Sequence, residues 1–293
     1  MGLCALRQSR RGEEGAFLAT GALVNKDVVS LFDIGTIFPL YLYANGETES
    51  QQELVPHEND RRPNLAAAFV RAFEQKLGLT FLPEGHGNLK KTFGPEDIFH
   101  YAYAIFHSQS YRERYAEFLK LDFPRLPLTS KVALFSKLCP CGERLVLLHT
   151  KTAGDPDDVP FDVPGDNLIE HVVYVPPKGA VGKRMVKAAA REAELSDESV
   201  EEATEQPSLP AGPTGRVYIN ARQYFEGILP VVWQFRIGGY QVCEKWLKDR
   251  KGRALTHDDI EHYQRTVSAL AETRTLMAQI DSLIADHGGW PLS

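Results

Sequence analysis

Thr256 to Asp259 (THDD) opens a run of roughly 28 residues with neither glycine nor proline. Ile260, Tyr263, Val267, Leu270, Met277, Ile280 and Ile284 recur along it at three- to four-residue spacing, broken once where Thr273 and Arg274 stand. Such a coiled-coil-like seam has to be covered, so the remaining chain must supply a packed body for a long helix to lie on. THDD has the shape of a capping box, with Asp where Glu is usual.

The preceding residues mix both periods. Ala16 to Thr20, Val28 to Phe32 and Thr36 to Tyr43 read as strands, and Pro39 confines the third to an edge or terminus. After a polar loop at 44–63, Asn64 is placed to cap a helix over Leu65 to Leu77. Its inward face would be Leu65, Phe69, Ala72, Phe73 and Leu77, and Gly78 would end it. Pro95 suits the first turn of a helix reaching His107, followed by another at Tyr111 to Lys120 with Tyr111, Tyr115, Phe118 and Leu119 inward. Pro124 and Pro127 keep Leu121 to Leu128 extended. A helix then runs from Thr129 or Ser130 to Leu138, is interrupted by Pro140 and Gly142, and resumes from Glu143 to His149. Leu168 to Val175 and Arg216 to Asn220 read as strands on either side of a long excursion. Aromatic and apolar residues fill Tyr224 to Phe235, and Gln241 to Leu247 reads as a short helix.

Charge divides the chain unevenly. Arg191 to Glu205 holds one basic and seven acidic residues, a sum of -6 that equals the formal charge of the whole chain. With PSLPAGPTG after it, this excursion has the composition of a segment without a packed core. The expected organisation is therefore a mixed domain from 1–176 and 214–240, an acidic insert at 177–213, and a helical part at 241–293. The fold class is α+β: a twisted β platform with packed helices and a long C-terminal helix. Strands at 16–43, 168–175 and 216–236 would form the platform. The acidic insert is a candidate shield for a basic surface, which deletion of 180–212 would test.

Several function classes lack their residues. No G-x-x-x-x-G-K-[ST] phosphate loop, G-x-G-x-x-G turn, H-E-x-x-H or G-x-S-x-G is present. Neither is an Asn/Asp-Pro-Pro-Tyr sequence of the amino-methyltransferase kind. Cys139 to Gly142 (CPCG) is half a zinc knuckle without its second pair, so it reads as two reduced thiols and no metal is expected. The acidic residues at 155–166 with Glu170, and His100 with His107, read as solvated. No apolar run is long enough for a membrane span. MGLCALRQSRRGEEG lacks the apolar core of a secretory leader, which points to the cytoplasm.

The basic clusters carry more. Gly238 to Arg253 (GGYQVCEKWLKDRKGR) has five Lys/Arg against two acids. Gln241 can pair with a base edge, and Lys248, Arg250, Lys251 and Arg253 suit phosphates. Arg7, Gln8, Arg10 and Arg11 form a second cluster, and Arg112, Arg114 and Arg125 a third. The candidate DNA contacts are Arg7, Gln8, Arg10, Arg112, Arg114, Gln241, Lys248, Lys251 and Arg253. The other reading of the first cluster is a buried aromatic helix with a solvated basic end, and of the second and third a plain solvated surface.

TIFPLYLY (Thr36 to Tyr43), RPNLAAAFVRAFEQKLGL (Arg62 to Leu79), YAYAIFHSQSYRERYAEFLKLDFPRLPL (Tyr101 to Leu128) and RVYINARQYFEGILPVVWQFRIGGYQVCEKWLKDRKGR (Arg216 to Arg253) occur in this order. Together they resemble the C-terminal specificity region of Type ISP restriction-modification enzymes. The resemblance implies a target recognition domain that reads a short asymmetric site on double-stranded DNA. It would position that DNA for adenine-N6 methylation and cleavage by the methyltransferase, translocase and nuclease parts of a longer polypeptide. S-adenosylmethionine, ATP and magnesium would belong to those parts, leaving no cofactor and no catalytic residue here. The alternative is a protein-interaction module in which the long helix docks a partner and DNA is not touched.

Overall fold

A computed structural model of the chain describes residues 1–7, 17–22, 24, 35–43, 61–151, 153–177, 212–237 and 240–292. The strand expected at Val28 to Phe32 and nearly all of the acidic excursion lie outside these residues. The chain forms two compact units. One comprises Met1–Ala153, Arg236–Tyr240 and Leu276–Ser293; the other comprises Gly154–Phe235 and Gln241–Thr275. The class is α+β, with the strands distributed over several small sheets.

In the first unit, β1 (Gly2–Leu6) is the central strand of an antiparallel sheet, between β2 (Phe17–Thr20) and β3 (Gly35–Pro39). Cys4, Ala5 and Leu6 are buried there. Pro39 lies at the end of an outer strand, where its missing N–H costs the ladder nothing. It also divides the expected single strand. Leu40 is buried, and β4 (Tyr41–Tyr43) pairs instead with β5 (Arg61–Pro63).

Helix α1 (Ala67–Leu77) starts later than Asn64 suggests. The Asn64 amide donates to the Pro39 carbonyl (2.9 Å), so it ties strand to helix instead of capping. Gly78 ends α1 in the left-handed region (φ +66°), a conformation that favours glycine. Strands β6 (Thr80–Phe81) and β7 (Thr92–Phe93) form a short parallel pair. Helix α2 (Pro95–His107) spans the expected residues, but His100 and His107 are buried, not solvated.

The next expected helix is two: α3 (Gln109–Arg114) and α4 (Ala116–Leu121), separated at Tyr115 (φ -106°, ψ 14°). The break changes the register. Tyr111 and Leu119 remain buried, while Phe118 turns outward.

Helix α5 (Val132–Lys151) runs unbroken through Pro140. Proline inside a helix costs about 3 kcal/mol. Leu134, Phe135, Leu138, Leu145, Val146 and Leu148 are all buried along α5, each contributing about 1.5–3 kcal/mol, so packing wins. The CPCG residues form the closest crossing with α2. A Cβ on Gly142 would overlap the His100 carbonyl, and the Cys139 thiol donates to the Asp97 carbonyl (3.4 Å). Phe73, Phe93, Tyr101 and Phe135 form the aromatic centre, with edge and tilted contacts at 5.3–6.0 Å.

The second unit is built on an antiparallel sheet in the order β10 (Tyr224–Ile228), β9 (Gly215–Tyr218), β8 (Val173–Val175). Only the end of the expected strand at 168–175 is strand. Leu168 makes an isolated bridge to Ala254, and the Glu170 and His171 N–H groups donate to the Ile219 carbonyl. The buried Gln223 amide bridges Val163, Asn167 and Asn220 beneath this bend. Short helices α6 (Pro230–Trp233) and α7 (Val242–Lys248) cover the sheet with the first half of α8 (His257–Asp286). Tyr263, Val267 and Leu270 of the α8 seam pack with Val217, Phe225, Val232, Cys243 and Leu247. Met277, Ile280 and Ile284 continue the seam as buried residues of the first unit, and Thr273 in the gap is buried too, its hydroxyl donating to Ala269.

Candidate nucleic-acid interface

In the second unit the basic stretch begins at Gln241, the residue before α7. Its Nε2 donates to the Trp233 carbonyl at 2.6 Å, so the amide is engaged in holding α6 to α7. Cys243 and Leu247 turn into the core and leave the charged residues on the outer face. Those charges pair locally: Lys245 with Asp249 (2.7 Å) and Lys248 with Glu244 (2.9 Å).

The turn after α7 presents Arg250, Lys251 and Arg253. The Arg250 guanidinium lies 3.6 Å above the Trp246 ring and donates to the Trp246 carbonyl. Trp246 in turn packs against Tyr263 and His262, so the indole anchors the turn. Gly252 bends it at φ +81°, with its N–H on the Ile169 carbonyl. Arg253 Nη2 donates to both oxygens of Asp259 (2.9 and 3.0 Å). Lys251 is exposed and has no side-chain partner among the described residues. Three acids, Glu244, Asp249 and Asp259, thus pair with four of the five cations, and Lys251 is the cation left without a side-chain partner among the described residues.

In the first unit Arg7, at the end of β1, reaches Asp122 just beyond α4 (3.4 Å), with both side chains largely exposed. That pair joins two clusters that are far apart in sequence: Arg7 lies beside the segment carrying Arg114, Lys120 and Arg125. Gln8 and Arg10 fall outside the described residues. Arg114 and Arg125 are exposed. Arg112 is different. Its Nε donates to the Phe106 carbonyl at 2.6 Å, and burial lowers its pKa to about 10. Its cation is committed to the interior, against the Phe17 ring at 5.7 Å.

Two residues on this surface carry no cation signal. Phe118 and Leu121 of α4 are 72% and 69% exposed. Helical spacing alone turns Phe118 inward; only the break at Tyr115, which no capping residue marks, turns it out. Apolar side chains among arginines and lysines are a known means of wedging a duplex.

The family model of the Type ISP C-terminal specificity domain matches residues 1–279. The chain belongs to that family. No curated protein matches it. Several solved structures share the fold of this specificity domain, three of which follow. One is the ATP-dependent Type ISP restriction-modification enzyme LlaBIII bound to DNA (TM-score 0.57, 15% identity, 100% of this chain and 16% of that one). Another is a DrdV–DNA complex (TM-score 0.52, 21% identity, 97% and 24%). The third is a nuclease-deletion mutant of the Type ISP enzyme LlaGI with a DNA substrate mimic (TM-score 0.50, 16% identity, 97% and 18%). The specificity domain therefore spans between a sixth and a quarter of each of those chains.

Among the described residues, no group of His, Cys, Asp or Glu is arranged to hold a metal ion, and no helix is long and apolar enough to cross a membrane.

Proposed function

We propose that this specificity domain is the DNA target-recognition part of a Type ISP restriction-modification enzyme. The observation that carries the reading is the specificity-domain match over residues 1–279. The exposed cations supply the chemistry: Lys248, Lys251 and Arg253 in the second unit, and Arg7 and Arg114 in the first, fix the register on phosphates. Gln8 and Arg10 are candidates for the same task. Base reading adds about 1–3 kcal/mol of discrimination per base pair. Gln241 takes part only if its bond to Trp233 is exchanged for one to a base. Methylation of adenine N6, translocation and cleavage, with S-adenosylmethionine, ATP and magnesium, belong to other parts of a longer cytoplasmic enzyme.

Binding of a labelled duplex across a salt series tests this. Phosphate contacts make log K fall linearly with log salt, at about 0.9 per phosphate neutralised. A flat dependence contradicts the proposal. It would favour a protein-docking module, a reading supported by the exposed Phe118 and Leu121.

A further inference from the structure

The first unit contains a cavity of about 370 Å³ that the DNA reading does not use. Its walls include Tyr41, Tyr43, Arg61, His86, His100 and Glu143. Three features define what it can hold.

The first is His100. It is 6% exposed, faces the cavity, and has no hydrogen-bond partner among the described residues. Burial, with His86 stacked beside it at 5.4 Å, lowers its pKa to about 4. It meets a ligand as a neutral ring with a lone pair to offer. No His100 nitrogen is among the sealed, unsatisfied polar atoms, so a ligand in the cavity can reach the ring.

The second is the charge balance. His86 is held between two carboxylates, with Nε2 2.6 Å from Glu96 and Nδ1 3.2 Å from Asp97. Arg61 is committed as well: Nε and Nη2 both donate to Glu84 (2.9 and 2.6 Å), and the guanidinium lies 4.2 Å above the Tyr41 ring. Glu84, Glu96, Asp97 and Glu143 outnumber Arg61 and His86, even with the His86 ring counted as charged. Glu143 is exposed at the cavity and has no partner among the described residues. Among the lining side chains both cations, Arg61 and His86, are already paired with carboxylates, whereas a donor-bearing cation finds Glu143, Glu96 and His100.

The third is size and wall chemistry. The volume is in the range of small-molecule sites, and Tyr43 provides aromatic surface that organic cations favour, the Tyr41 face being covered by Arg61. Compact metal ions are not matched, since among the described residues no three His, Cys, Asp or Glu side chains are placed to hold one ion; Glu143, Glu96 and His100 would meet different donors of an extended cation.

We propose that this cavity binds a small organic cation carrying an ammonium or guanidinium group, through Glu143, Glu96 and the His100 ring. Such a group comes either from a free amine or from an Arg or Lys side chain of a peptide. The proposal is independent of the DNA reading, because none of the proposed DNA contacts lines the cavity.

Calorimetric titration of the intact chain at low salt, with agmatine, spermidine and an arginine-centred pentapeptide as separate probes, tests it. Saturable binding is expected for at least one, weakened about tenfold or more by Glu143→Gln, as loss of a charge-assisted hydrogen bond requires. Inorganic phosphate should neither bind nor compete. Tighter binding of the amines assigns a free ligand, and tighter binding of the pentapeptide assigns a side chain. The Glu143→Gln chain should melt with the parent, since the residue is exposed and unpaired. Absence of saturable binding by all three probes, undiminished binding by Glu143→Gln, or displacement by phosphate overturns the proposal.

Discussion

Arg253 and Asp259 form a forked ion pair, with one guanidinium nitrogen 2.9 and 3.0 Å from the two carboxylate oxygens. The same carboxylate accepts from the Thr256 N–H, while the Thr256 hydroxyl accepts from the Asp259 N–H, completing the reciprocal box that starts α8. A proposed phosphate contact is therefore tied to the start of the longest helix. Replacing Asp259 with Asn should keep an acceptor for Thr256 and release Arg253. Duplex affinity at low salt should then rise by up to about fivefold, equivalent to the ~1 kcal/mol of a strong exposed ion pair. Thr256→Ala should leave affinity unchanged and cost about 1 kcal/mol of stability, measured by urea unfolding.

Lys251 and Gln241 should separate cleanly. Lys251→Ala should weaken binding equally for all duplex sequences and reduce the salt slope by about 0.9. Gln241→Ala removes the donor to the Trp233 carbonyl, so its effect should appear as about 1 kcal/mol of lost stability. Anisotropy titrations at several salt concentrations, paired with melting curves, distinguish the two.

Phe118 gives the sharpest contrast between sequence pattern and structure. An inward Phe would cost about 3–5 kcal/mol on truncation. At 72% exposure, Phe118→Ser should change stability by no more than about 0.5 kcal/mol. If the α4 surface meets the duplex, the same substitution lowers DNA affinity while the melting temperature holds.

Acid should unfold the first unit through its buried imidazoles, His149 and His107 together with His100. His149 accepts from or donates to the Tyr103 hydroxyl at 2.7 Å, and burial lowers its pKa to about 4. His107 is likewise held well below its usual value, by burial and by Arg112. All three folded-state values lie below the unfolded value near 6.5, so the unfolded chain binds protons first as pH falls. Their stabilisation is complete above about pH 6.5 and is lost progressively towards pH 4 and below. Chemical unfolding across that range should show the decline, and His149→Gln should flatten it.

How far the sequence reveals the fold depends on which forces act locally. Pro95, Gly78 and the THDD box mark helix ends by backbone chemistry, and the corresponding ends of α2, α1 and α8 lie where those residues indicate. Strand β1 is set by its partners on both sides and carries no turn signal of its own. Pro140 suggests a break that packing against α2 overrides. The positive character of 241–253 is legible, but its neutralisation by Asp259 is not, because Asp259 reads as a helix-capping residue. Arg112 shows the limit most clearly: Glu113 and Arg114 after it are exposed, and only the tertiary fold turns it toward the Phe106 carbonyl.

Selection from a random duplex pool by the purified chain tests target recognition most directly. Enrichment of one short motif, lost when exposed cations such as Lys251 and Arg7 are replaced together, is the predicted result. A folded chain that enriches no sequence over successive rounds would contradict it.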